Sequence, residues 1–272
     1  MTAYRIGSVA WHVFKESVRD RVLYGIGGFA VLLVGVSLLI GQLTAGQDVK
    51  IIKDLGLAAI ELAGILMAVF IGVGLVSREI ERRSVFSLLA KPLARWEFIV
   101  GKYSGLALTL AVNLAGMTAA FYLVLAWLGW ASPENVRLSW TAPAADPRLL
   151  VAVVEIAAEL ALLTAIALFF STFSSSTLLS VLLTVGLLMA GLLSQDLRQF
   201  GDLVDAPPVL ATLVSAVGWL VPAFSAFDHK NAIVSGLPVD AGRVAYNLVY
   251  AAAYVVAALS ASVAVFSRRE FT

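Results

Sequence analysis

The chain has 272 residues, of which 60% are hydrophobic and only 14% are charged, and its mean hydropathy is +0.92. Soluble globular domains carry about 25% charged residues, so this composition excludes that class and predicts a membrane protein. The formal net charge of +1 gives no indication of nucleic-acid binding, and the absence of cysteine excludes disulfides and thiolate metal sites.

Residues 1–21 are predicted to form an amphipathic helix that lies at the membrane surface. Ile6, Val9, Val13 and Phe14 recur at helical spacing, while charged and polar side chains take most of the other positions. The apolar segment that follows is too long for a signal peptide and lacks a small-residue cleavage pattern. We therefore expect it to remain in the mature chain.

Six apolar segments meet or approach the length of about 20 helical residues that a hydrocarbon core roughly 30 Å thick requires. Apolar and polar residues do not alternate in them, so helices are the expected way to satisfy the backbone polar groups in lipid. The chain is thus predicted to be all-α and to form a single transmembrane domain, 1–272, with six spans. The predicted spans are 22–41, 55–77, 103–130, 149–171, 177–194 and 246–266.

The distribution of Lys and Arg predicts the orientation of these spans. With both termini inside, twelve of the 19 Lys and Arg residues fall in cytoplasmic segments, and the remainder are spread over longer outer loops. Positive residues are enriched on the cytoplasmic side of membrane proteins. Both termini are therefore expected in the cytoplasm.

Segment 78–102, between the second and third spans, is a dense island of charge that we interpret as a cytoplasmic docking element. Carboxylates and arginines open a predicted short helix, and Pro92 ends it because the residue before a proline is biased out of the α region. A second helix is predicted to start at Arg95. It enters the third span through Gly101 and Gly105, whose i,i+4 spacing lets another helix approach closely. An ordinary basic loop would show the charge without this pattern.

The run E-x-E-R-R-S-x-x-x-L-L-A-K-P-L-A-R-W-E-F-x-x-G-K in this segment resembles the loop after the second span of type-2 ABC exporter permeases. The resemblance implies that the segment is a coupling helix seated in a groove of a separate ATP-binding subunit. Phe98 also matches the family pattern. The residues with an implied role in coupling to the ATPase are Glu79, Glu81, Arg82, Arg83, Leu88, Leu89, Lys91, Pro92, Arg95, Glu97, Gly101 and Lys102.

The same resemblance implies a multi-pass protein of a bacterial or archaeal cytoplasmic (inner) membrane, in which two permeases, identical or paralogous, pair above two ATPase subunits. ATP and Mg²⁺ are then expected in the partner, and this chain is expected to be neither an enzyme nor a binder of its own cofactor. A Walker A loop ending at Gly101 and Lys102 would need Gly and Ser or Thr where Trp96 and Tyr103 stand. Membrane lipid is a further expected partner, nucleic acid is not, and the sequence does not specify the substrate.

The turn at 169–180 is uncharged and rich in Ser and Thr. It resembles the short turn after the fourth span in the same family, which also touches the ATPase. A simple tight turn whose hydroxyl groups satisfy backbone atoms explains it equally well.

The outer loop 195–245 contains an apolar stretch bounded by prolines. Pro207 and Pro208 suit a helix start, and Pro222 is expected to end a helix that is too short to cross the membrane. We predict a short apolar helix in or dipping into the outer leaflet, followed by an ordered outer turn at 224–236.

Glu61, Glu155 and Glu159 lie inside predicted spans, where a charge is costly enough to make each a candidate functional residue. They either line a substrate path or lock helices together through hydrogen bonds. His229, in the outer turn, has no second ligand at metal spacing, so we expect a surface residue and no metal site.

Two other classes of protein remain open from these residues. A proton- or cation-coupled secondary carrier would need membrane carboxylates but leaves segment 78–102 unexplained, and no inverted repeat is detectable. A structural membrane anchor of an envelope complex is the third class. In the last span, Ala253, Ala257 and Ala261 form a predicted close-packing face whose partner, another permease or the chain's own helices, is open.

Overall fold

The computed structural model describes residues 2–18, 24, 27–28, 31–32, 35–36, 48–81, 94–174, 176–204 and 207–268, and contains no strand within these ranges. The described residues of the predicted first span are helical, and the rest of that span lies outside the described ranges. The other helices are α1 Thr2–Val18, α2 Asp48–Glu81, α3 Arg95–Ala131, α4 Glu134–Arg137, α5 Leu149–Phe173, α6 Thr177–Leu192, α7 Ser194–Arg198, α8 Phe200–Leu203, α9 Pro208–Leu220, α10 Lys230–Val234 and α11 Ala241–Arg268.

Four of the described helices, α2, α3, α5 and α11, are long and apolar enough to cross a membrane. Helix α6 is apolar but has only 16 residues, which is short for a hydrocarbon core. Helix α9 and the segment Phe224–Val234 pass the same test together, with a bend of 50° between them. The described residues thus hold four candidate spans, or five if the bent pair crosses as one unit, and a total of six stays a prediction.

Helix α5 is the centre of the bundle, because α2, α3, α6 and α11 all pack against it. Apart from Glu155 and Glu159 its sequence is apolar on nearly every side, as expected for a helix that is largely buried. Leu160 and Leu163 of α5 join Ile60, Met67 and Phe121 in the main hydrophobic core.

Helix α11 is peripheral: 11% of its most apolar window is buried, against 61% for α5. Ala253 and Ala257 are exposed and Ala261 is half-buried. The small-residue face of the last helix is therefore turned largely away from the chain's own helices.

Helix α1 packs along the first turns of α3, as the two glycines at the start of the third span indicated. A Cβ atom on Gly105 would lie 2.6 Å from the carbonyl oxygen of Ala10, and one on Gly101 would lie 2.8 Å from Cβ of Val9. Only glycine permits this approach. Next to these contacts, the second hydrophobic cluster joins α1, α3, α5 and α11 through Val13, Ile99, Leu106, Leu168 and Phe266.

The predicted outer loop, 195–245, contains a helix between its prolines. Helix α9 begins at Pro208 and ends at Leu220, two residues before Pro222. The turn that follows contains the 3₁₀ helix Phe224–Phe227 and α10, and it reverses at Gly236, whose φ of +74° favours glycine. This ordered turn contacts α2, α5 and α6.

Candidate functional site

Only the two ends of the predicted coupling segment are described. Helix α2 runs to Glu81, and no side chain from 75 to 81 is described, so Glu79 and Glu81 are placed by their backbone alone. Helix α3 starts at Arg95, as predicted. The candidates Arg82, Arg83, Leu88, Leu89, Lys91 and Pro92 lie outside the described residues.

Glu97 and Arg95 connect the start of α3 to both ends of the chain. The buried carboxylate of Glu97 accepts a hydrogen bond from the backbone N–H of Ala94 at 3.1 Å, and its Oε2 lies 3.7 Å from Nη1 of Arg5 in α1. Arg95 donates through Nη1 to the carbonyl oxygens of Phe266, at 3.2 Å, and Ser267 at the end of α11. These candidates therefore fix α3 to the neighbouring helices.

Lys102 is buried, with its Nζ 4.8 Å from the centre of the Phe98 ring. Gly101 lies against α1, as described above. Lys102 and Gly101 are thus both buried and not exposed to solvent. Both residues are therefore part of the packing at the start of α3.

The turn after α5 is held by hydroxyl groups. Ser174 donates through Oγ to the carbonyl oxygen of Ser176 at 2.9 Å, and its Oγ accepts from the N–H of Ser176 at 3.2 Å. Ser180 also donates to carbonyl oxygens nearby. This is the geometry expected of the simple tight turn.

The three membrane carboxylates meet the outer turn in one place. Nδ1 of His229 lies 2.9 Å from each carboxylate oxygen of Glu155, which is fully buried. Nδ2 of Asn247 in α11 donates to Glu155 Oε1 at 3.0 Å and to the carbonyl oxygen of Ala226 at 2.8 Å. Glu155 of α5 is thereby bound to both the outer turn and α11.

Lys230 connects the same turn to α2. Its Nζ forms an ion pair with Oε2 of Glu61 and lies 3.7 Å from Oδ1 of Asp228. Glu159, 3% exposed, interacts electrostatically with Glu61, Lys230 and Asp228. Within the part of the chain that the structure describes, Oε1 of Glu159 has no hydrogen-bond partner.

We call Glu61, Glu155, Glu159, His229 and Lys230 the outer charge cluster. The prediction that His229 is a surface residue is wrong: its side chain is 13% exposed and is directed to Glu155. Sequence reasoning also missed Asn247 and Lys230. Their signal was a balance of charge: three carboxylates in predicted spans require cations or donors, and Lys230 of the turn and Asn247 of α11 are polar residues near those spans.

The cluster does not have the arrangement of a metal site. Over the described ranges, no group of three or more His, Cys, Asp or Glu residues could hold a metal ion. The cluster and Asn247 can instead hold the outer turn against three long helices: Lys230 pairs with Glu61 of α2, His229 contacts Glu155 of α5, and Asn247 of α11 donates to the carbonyl oxygen of Ala226.

The model of a family described as ABC-2 family transporter protein matches residues 8–271. A search of curated proteins finds no match. The matched range includes α1 from residue 8 onward, the predicted coupling segment, the outer charge cluster and α11.

Proposed function

The chain belongs to the ABC-2 family of transporter proteins, and from that premise we propose that it is the membrane permease subunit of an ATP-driven exporter. The observation that carries the proposal is the family match over 8–271, which covers the coupling segment that the sequence singles out. ATP is hydrolysed in a separate subunit. Two permeases and two ATPase subunits form the transporter, in a cytoplasmic membrane with both permease termini inside.

In this proposal, residues 78–94 dock on the ATPase. Glu79, Glu81, Arg82 and Arg83 supply charges for a polar groove, and Leu88, Leu89, Lys91 and Pro92 complete the docking helix and its end. Opposite charges at such an interface orient the partner subunit, and like charges disfavour binding of other proteins. The segment connects α2 with α3, so a displacement of the docked helix tilts two long helices.

Arg95, Glu97, Gly101 and Lys102 act behind this surface. Glu97 and Arg5 lie in salt-bridge range between α3 and α1, and Arg95 binds the end of α11. Movement of the coupling segment therefore reaches α1, α3 and α11 together. Because buried packing is stiff, these helices respond as a unit.

The outer charge cluster closes the other end of the substrate path in this proposal. Glu61, Glu155 and Glu159 hold the outer turn through Lys230 and His229, and release of substrate requires that these contacts separate. The support is geometric: one short turn is bonded to α2, α5 and α11.

The first test is purification of the tagged chain in mild detergent from its native host, followed by mass spectrometry of proteins present at near-equal stoichiometry. An ATP-binding subunit is expected. A pure homo-oligomer would instead favour the secondary carrier, which uses membrane carboxylates without an ATPase.

The second test is the double variant Glu79→Ala, Glu81→Ala, which should insert normally but lose ATPase docking or substrate-linked hydrolysis. The matched control is Glu134→Ala, Asp196→Ala, which removes two exposed carboxylates predicted to lie on the opposite side. Equal docking and turnover in both double variants would remove Glu79 and Glu81 from the mechanism.

A further inference from the structure

A cavity of about 430 Å³ lies between the start of α5, the start of α11 and the loop that joins α10 to α11. It is separate from the outer charge cluster, and its lining is apolar except for one arginine. The residues that line it are Arg148, Val151, Ile233, Leu237, Pro238, Val239, Ala241, Val244, Ala245 and Leu248.

The arginine lies where the helix begins. Arg148 immediately precedes the first residue of α5, and its Nη1 donates to the carbonyl oxygen of Gly236 at 3.2 Å. A guanidinium group has five N–H donors in a planar fork, so one carbonyl leaves donors for a bidentate acceptor. The hydrogen bond to Gly236 thus holds the guanidinium group of Arg148 at the edge of the cavity.

The apolar part extends along the helices from that edge. Ala241 is the first residue of α11 and Leu248 follows seven residues later, which corresponds to about 10 Å along the helix. The ends of membrane-spanning helices lie at the boundary between the lipid headgroups and the hydrocarbon core. A cation at the level of the headgroups above an apolar cavity matches the two parts of a phospholipid.

We propose that this cavity binds an anionic phospholipid of the surrounding membrane, with the phosphate on Arg148 and the first part of one acyl chain against Val151, Val244 and Leu248. The lining contains no carboxylate that would repel the phosphate. Ile233 is a lining residue of α10, the helix that also carries Lys230. The bound lipid therefore also supports the outer turn.

The experiment compares the lipid retained by the purified full-length chain after incubation with phosphatidylglycerol or with phosphatidylcholine of the same acyl chains, measured by native mass spectrometry. The wild type is expected to prefer phosphatidylglycerol. Arg148→Gln should bind it about tenfold more weakly, the effect of losing a charge-assisted hydrogen bond. Ala245→Trp should reduce binding of both lipids because it fills the cavity.

The matched control is Arg243→Gln, which removes the same charge from an exposed arginine at the start of α11 that does not line the cavity. It should bind like the wild type. If Arg243→Gln and Arg148→Gln lost the same affinity for phosphatidylglycerol, the lipid would be attracted by surface charge in general, and the proposal would be overturned. Unchanged lipid binding in Ala245→Trp would also overturn the proposal. The proposal would likewise fail if Ala245→Trp changed only the oligomeric state, because a second copy of the chain would then be the occupant of the cavity.

Discussion

Replacement of Lys230 with alanine is expected to lower the free energy of unfolding by about 3 kcal/mol. The substitution leaves the Glu61 carboxylate without its ion pair and removes the cation next to Glu159, whose Oε1 already lacks a partner among the described residues. Loss of one member of a buried pair costs about 3–5 kcal/mol. The lower figure applies because the side chains of Lys230 and Glu61 are still 17% and 16% exposed.

The assay is thermal unfolding in detergent, followed by the fluorescence of the six tryptophans. At about 2–4 °C per kcal/mol, Tm should fall by about 6–12 °C. The double variant Lys230→Ala, Glu61→Gln should recover part of the loss, because it removes the unpaired charge as well. The exposed Lys50 on the same helix as Glu61 provides the control, Lys50→Ala, with Tm unchanged. A Tm for Lys230→Ala equal to that of the control would refute the charge-pair reasoning.

Two further predictions use matched residues within the chain. Gly105→Ala should lower Tm and loosen α1, measured by hydrogen exchange of residues 2–18, because its Cβ would lie 2.6 Å from the Ala10 carbonyl oxygen. Gly116→Ala on the same helix has nothing within 4 Å and should leave Tm unchanged or raise it; equal exchange in both variants would contradict the close packing. Asn247→Leu should cost about 1–3 kcal/mol, measured by Tm, because it leaves a buried carboxylate and a carbonyl with fewer donors. Among the described residues, the amide of Asn113 donates to a carbonyl one turn back on its own helix, so Asn113→Leu should have little effect, and a similar fall in Tm from both variants would count against the bridging role of Asn247.

Features set by neighbouring residues along the chain were predictable. Pro208 and Pro222 bracket α9 because proline is accepted in the first turn of a helix and cannot continue one. Gly101 and Gly105 predicted a close helix contact because their spacing alone creates a groove. That the partner is α1 depends on tertiary packing, which the glycines do not encode.

Features that depend on distant residues were not predictable in the same way. His229 is polar and lies in a turn, which indicated the surface, yet its environment is set by Glu155, 74 positions away. The span count of six stays a prediction, because length alone does not decide which of the described helices cross the membrane. Helix α6 ends at Leu192, short of a full crossing, whereas α9 and Phe224–Val234 together reach that length only through a 50° bend.

The packing of α1 has a consequence for how the protein is made. Val13 shares its hydrophobic cluster with Phe266, so the contacts of α1 are complete only after α11 has been synthesised. At about 5–20 residues per second, the interval between these two residues lasts about 13–50 s. Until then α1 can pack on α3, and the membrane surface can cover the part of its apolar face that α11 covers later. A chain that stops short of Phe266 therefore leaves the Val13 side of α1 incompletely packed, even though α1 and α3 are both present.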